Sequence, residues 1–191
     1  LASPQFSRRL AEFYDVTLIE RRTNVNVPQT EWMAFLIDAI RTNTPWNLLA
    51  REILAADGVP RAAERFYLDR GSEPNLIARD VGRIFFGRDL QCAQCNDHPL
   101  VDDYLQADYY GLYAFVMRSN LFVDLKQKQM RQIGETADGE ASFKSVFTGH
   151  TGEKVQPRVP KGLPLFEPVV KKGDEYVSKP SKETRAVPKY S

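Results

Sequence analysis

The chain has 191 residues, 42% of them hydrophobic, with 11 Phe, 8 Tyr and 2 Trp, enough to bury the core of one domain with extensions. Its 26 basic residues balance 25 acidic ones, and a net charge of +1 sets up no field that selects nucleic acid, an acidic polymer or a membrane surface. No apolar run approaches the roughly 20 residues that span a bilayer, and the opening LASPQFSRR lacks the hydrophobic stretch of a secretory signal.

Starting at Leu1 rather than methionine, the chain reads as an excised or processed piece. Ser3 and Pro4 open a first helix, the serine capping free amides and the proline losing nothing in the first turn. Phe6, Leu10, Phe13, Tyr14 and Leu18 recur at helical spacing, which predicts a helix over about Pro4 to Glu20 with these residues on one face. After a polar loop closed by Pro28, Trp32, Phe35, Leu36, Ala39 and Ile40 mark a second helix from Thr30 to Arg41. A third opens at Thr44 and Pro45, carries Trp46, Leu49, Ile53 and Leu54, and stops at Asp57 and Gly58. The second and third are expected to pack as an antiparallel hairpin.

Ala63 to Leu68 reads as a short helical piece ended by Gly71. Ser72 to Pro74 then start a helix with Leu76, Ile77, Val81, Ile84 and Phe85 on its apolar face, and Gly87 terminates it. Gln106 to Met117 forms another, with Tyr109, Leu112, Tyr113 and Val116 on one side, so the segment between is clamped by two helices. Beyond Ser119, NLFVDL and SFKSVFTG are rich in β-branched and aromatic residues, and the glycines near His150 predict a hairpin. From Pro160 the chain holds prolines among lysines and serines and reads as an extended linker. The expected fold is mainly α: about five helices over 1–119, a small antiparallel β appendage over 120–160, and an extended C-terminal linker over 161–191.

Both cysteines and one of the two histidines fall within Leu90 to Leu100, LQCAQCNDHPL. A CxxC turn brings two sulfurs to one side of a loop, where they share a metal, close a small disulfide, or add to the vinyl groups of a haem. Haem attachment places a histidine directly after the second cysteine, and here that position is Asn96, a poor iron ligand; His98 is the nearest substitute. A tetrahedral zinc site needs four ligands, of which Cys92, Cys95 and His98 supply three, leaving Asp97, Asp103 or the distant His150 for the fourth. His150 itself reads as an exposed turn residue. Asp102, Asp103 and Asp108 are expected to cap and favour the following helix N-terminus, and Tyr109 and Tyr110 to pack in the core with one hydroxyl at the surface. There is no glycine-rich phosphate loop and no nucleophile motif.

The run FFGRDLQCAQCNDHPLVDDYLQADYYGLYAF, Phe85 to Phe115, closely resembles the planctomycete cytochrome-associated domain of unknown function of the PSCyt-two type, whose members carry a CAQCHDHP-like block followed by a DYY segment. The opening LASPQF and the stretch NTPWNLLAREILAADG resemble the early helices of that family, and the likeness covers roughly Leu1 to Asn120. It implies an extracytoplasmic protein, periplasmic or at the cell surface, with a cytochrome c module and a C-terminal domain of the same parent as partners. The family's CxxCH block maps onto Cys92, Cys95 and Asn96, so the cysteines match and the ligand does not, while its second histidine is kept as His98.

The leading expectation is an exported redox or cofactor-holding module, with haem c or a metal ion held by Cys92, Cys95 and His98. The alternative is a structural or interaction domain pinned by a Cys92–Cys95 disulfide. A hydrolase acting on polysaccharide is suggested only by the exported setting, and requires Asp97, Asp103 or Asp108 to converge with His98 in an open cleft.

Overall fold

The computed structural model describes residues 3–22, 25–124, 130–166, 168–181 and 184–189. It divides into two compact units, Leu1–Ser72 with Leu121–Ile133, and Glu73–Asn120 with Gly134–Ser191. Six α-helices and three small two-stranded sheets are found among the described residues, a mainly helical fold with a minor β part.

In the first unit, α1 (Pro4–Ile19) begins as expected: the Ser3 hydroxyl accepts the Phe6 amide at 3.1 Å. Of the apolar residues the spacing puts on one face, Leu18 is buried, and Phe6 and Phe13 are not. Ser7, Ala11, Leu18 and Ile19 are buried, whereas Phe13 is 62% exposed. Small side chains at 7 and 11 let α2 (Gln29–Arg41) approach closely, and the same line carries Asp15, whose carboxylate accepts Trp32 Nε1 at 2.9 Å and Gln29 Nε2 at 3.1 Å. The apolar stripe of α2, Trp32, Leu36 and Ala39, is thereby taken up by α1. The expected hairpin of α2 with α3 (Trp46–Ala55) is therefore replaced: α3 buries Leu49 and Ile53 and packs on the segment formed by a 3-10 turn (Arg61–Glu64) and α4 (Arg65–Leu68).

That segment buries charge as well as Phe66 and Leu68. Arg65, 2% exposed, donates to Asp69 Oδ2 at 2.8 Å and lies 5.8 Å over the Trp32 ring. Arg70, equally buried, donates to the Phe66 and Leu18 carbonyls at 2.8 and 2.9 Å. Desolvation lifts the Asp69 carboxyl above its ordinary range despite the Arg65 guanidinium beside it.

In the second unit, α5 (Pro74–Phe86) packs against α6 (Gln106–Val116), burying Ile77, Ala78 and Val81 on one and Tyr109, Leu112 and Val116 on the other. The antiparallel hairpin expected near His150 is present as β3 (Ala141–Lys144) and β4 (Thr151–Val155), which also packs on α6. Chain beyond β4 follows α6 closely: the Arg158 amide donates to the Gly111 carbonyl at 3.2 Å, and a Cβ at Gly111 would meet Arg158 Cγ at 2.5 Å. Glycine is what permits that approach. Farther on, within the stretch read as linker, β5 (Tyr176–Ser178) and β6 (Val187–Pro188) pair antiparallel. The first two strands in the chain, β1 (Ser119–Asp124) and β2 (Met130–Glu135), form the third two-stranded sheet, and Leu121–Ile133 within them is counted in the first unit.

Candidate functional site

The cysteine turn starts where α5 stops. Gly87 takes a left-handed conformation (φ 64°), and the next amide, of Arg88, returns to the Gly82 carbonyl at 2.9 Å. Leu90 and Ala93 are fully buried and root the loop, while Cys92–Gln94 makes one 3-10 turn. Side chains three apart on a 3-10 turn eclipse each other, and three is the spacing of Cys92 and Cys95, the latter at the turn's C-cap. Both thiols are free and exposed.

What holds the turn is a set of polar contacts from two directions. From β3 and the residues after it, the Val146 amide donates to the Cys95 carbonyl at 3.4 Å, and the Ser145 hydroxyl donates to Asn96 Oδ1. The same Ser145 oxygen accepts the Phe147 and Thr148 amides at 3.4 and 3.1 Å, which fixes it in place. From α6, the free Gln106 amide donates to Asp97 Oδ1 at 2.8 Å, and Gln106 Nε2 donates to the Gln94 carbonyl at 3.4 Å. Leu105, at the capping position of α6, has no side-chain acceptor to offer, and Asp97 supplies one from nine residues earlier.

His98 is tied into the same loop. Its amide donates to the Tyr104 carbonyl at 2.9 Å, its Nδ1 accepts the Leu100 amide at 3.2 Å, and its ring meets Tyr104 edge-on at 5.8 Å. Arg88 lies 5.7 Å over the other ring of that pair, Tyr104. Of the acidic residues expected to favour the helix N-terminus, Asp103 is engaged elsewhere. Asp103 pairs with Lys161 at 2.8 Å and Arg88 at 3.6 Å, and the Lys161 ammonium holds its carboxyl below the ordinary range. Asp108 does sit in the first turn of α6, bound to Arg158 at 3.0 Å. Tyr109 is fully buried and its hydroxyl donates to Asn75 Oδ1 at 3.0 Å; Tyr110 stacks on Phe143 at 5.0 Å. Burial raises both tyrosine hydroxyls above their usual range, and the neighbouring Cys95 adds to the rise.

Among the described residues, no three His, Cys, Asp or Glu side chains are gathered so as to hold a metal ion. Asp97 accepts the Gln106 amide through Oδ1, Asp103 pairs with Lys161 through Oδ2, and His150 lies against Phe143, 5.9 Å between rings. None of these completes a four-ligand zinc shell around the thiols. Covalent haem fits no better, because Asn96, in the place of the iron-binding histidine, is engaged with Ser145 through Oδ1 and with the Asp97 carbonyl through Nδ2 at 3.1 Å. An open cleft of about 390 Å³ in the second unit is lined by Phe115, Arg118, Glu135, Pro157 and Leu165 among others, and by neither cysteine, His98, Asp97, Asp103 nor Asp108. Of the aspartates a hydrolase would bring together with His98, Asp103 pairs with Lys161 and Asp108 with Arg158. Among the described residues no helix is long and apolar enough to cross a membrane.

The family model described as PSCyt2, protein of unknown function (DUF1549), matches residues 1–120. The chain belongs to the PSCyt2 family. No curated protein and no solved structure matches it. Within this PSCyt2 domain the match contains α1 to α6, the cysteine turn and the Asp97–Gln106 contact, whereas Ser145, Val146, Arg158 and Lys161 lie beyond it. The contacts from α6 thus belong to the family portion, and those from β3 to the chain that follows. Sequence spacing finds Cys92, Cys95 and His98 but not Ser145, which is 49 positions from Asn96. Asp97, nine residues before Gln106, is too far from the helix start to be read from the sequence as its cap.

Proposed function

We propose that this PSCyt2 domain is a redox or cofactor-holding module of an exported, cytochrome-associated protein, with Cys92 and Cys95 as the holding groups and His98 as the nearest further ligand. One observation carries the reading: two free, exposed thiols lie three residues apart on a 3-10 turn that α6 and the β3 hairpin brace, a spacing that favours side chains on one side. Thiols placed for structure alone are ordinarily buried, whereas thiols that exchange or bind must be reached. The chemistry available is a dithiol–disulfide couple or a thiolate-bound metal, in an extracytoplasmic compartment where a disulfide persists. A cytochrome c module and a C-terminal domain of the same parent protein are the partners this reading assigns.

The full chain, expressed with export and cytochrome-maturation machinery, is tested by its absorption spectrum, metal content and intact mass. A retained metal, or a Cys92–Cys95 pair that cycles between dithiol and disulfide, is expected. A Soret band would restore the haem that Asn96 argues against. A chain that retains nothing and keeps two unpaired thiols under oxidant contradicts the module. A second reading, a structural or interaction domain, draws on the bracing contacts themselves, none of which involves a sulfur atom. It predicts a permanent disulfide, a mass lower by two hydrogens that mild reductant does not reverse in the folded chain.

A further inference from the structure

The group that fits this turn is defined by how few ligands it demands. Two exposed thiols sit three residues apart on one 3-10 turn, a spacing that eclipses side chains, and among the described residues no third His, Cys, Asp or Glu side chain is gathered with them to hold a metal. Zinc would remain under-coordinated there, since it takes four ligands in structural sites and three protein ligands in catalytic ones. A soft monovalent d¹⁰ ion does not have that requirement, because two thiolates in a near-linear arrangement complete its shell, and thiolate softness selects it.

We infer that Cys92 and Cys95 form a two-thiolate site for Cu(I). The inference rests on the proposed holding role of the same cysteines and names the ion they hold. On binding, each thiol gives its proton to solvent and two sulfur–copper bonds form; copper stays monovalent, and nothing is oxidised or reduced. Exposure of both sulfurs lets the ion be delivered and removed by exchange with another soft ligand, as suits an ion that is passed on. The bracing from Gln106 and Ser145 keeps the turn in place while the sulfurs are loaded or empty.

The test uses the reduced full chain under anaerobic conditions, with Cu(I) buffered by bicinchoninate and a parallel titration with Zn(II). Expected are one Cu(I) per chain in competition with the chelator, a sulfur-only first shell by X-ray absorption, and weaker binding of Zn(II). Cys92→Ser and Cys95→Ser should each weaken Cu(I) by more than about 100-fold, beyond what loss of an outer contact costs. His98→Ala should leave the affinity within about tenfold, a difference of one decade in Kd. Loss of Cu(I) on His98→Ala, or Zn(II) bound as tightly as Cu(I), overturns the two-thiolate site. If bicinchoninate strips all the copper while the chain holds another metal or cycles to a disulfide, the Cu(I) site falls and the holding role stands. If none of these is seen, both fall.

Discussion

The buried charges of the first unit and the exposed thiols of the second are held in opposite ways. In the first, Arg65, Arg70 and Asp69 are sunk among Trp32, Phe66 and Leu18, with Arg65 bound to Asp69 Oδ2 and Arg70 to the Phe66 and Leu18 carbonyls. In the second, Cys92 and Cys95 remain exposed, and what is satisfied is the backbone and the polar side chains around them. Charge buried at Arg65 holds a fold together, because removing either partner strands the other away from water. An exposed thiol contributes little to stability, so its position is explained by what reaches it from outside.

The comparison breaks most visibly at Arg65. Arg65→Ala leaves the Asp69 carboxylate without its guanidinium and should cost about 3–5 kcal/mol, measured by denaturant unfolding. At the cysteine turn the largest expected effect is smaller and comes from a residue that is not a cysteine. Asp97→Ala removes the cap of α6, for about 1 kcal/mol, with faster hydrogen exchange at the Gln106 amide and faster alkylation of Cys95 as the local signs. Replacing Cys92 and Cys95 together by serine should change the stability of the reduced chain by less than about 0.5 kcal/mol. A fall of about 2–4 kcal/mol for the same replacement in oxidised chain would instead identify a structural disulfide.

The finest contrast is between two aspartates shifted in opposite directions. Asp69, raised by desolvation, contributes stability that is fully present below its unfolded pKa and is lost as pH rises through the folded one. Asp103, lowered by Lys161, contributes above its unfolded pKa and loses that contribution as pH falls through the folded one. Carboxyl titration by NMR should therefore find Asp69 above and Asp103 below the usual aspartate midpoint. Lys161→Ala or high salt should move Asp103 up and leave Asp69 in place, since an exposed pair is screened and a buried one is not.

Helix positions were legible because capping and termination signals are local. Ser3 with Pro4, Pro74 and Gly87 act within one turn of themselves, and the helices they bound appear where the spacing places them. The buried side of α1 is legible only at Leu18, because helix approach is governed elsewhere by the smallness of Ser7 and Ala11 and by the Asp15 contacts, not by the largest apolar residues. The same reason hid the pairing of α2 with α1. At the site, CxxC spacing reveals the sulfur pair, since two residues suffice to set its geometry. The brace is hidden because Ser145 and Gln106 meet the loop only after the chain has folded, and Arg65 and Arg70 were hidden because charged residues read as surface.

Native mass spectrometry of the reduced full chain, offered first buffered Cu(I) and then oxidised glutathione, bears most directly on whether Cys92 and Cys95 act as one unit. The account predicts one added copper in the first case and a loss of two hydrogens in the second, with both responses absent in Cys92→Ser and in Cys95→Ser. A mass that never changes, or glutathione added separately to each cysteine with no internal disulfide and no copper, would contradict it.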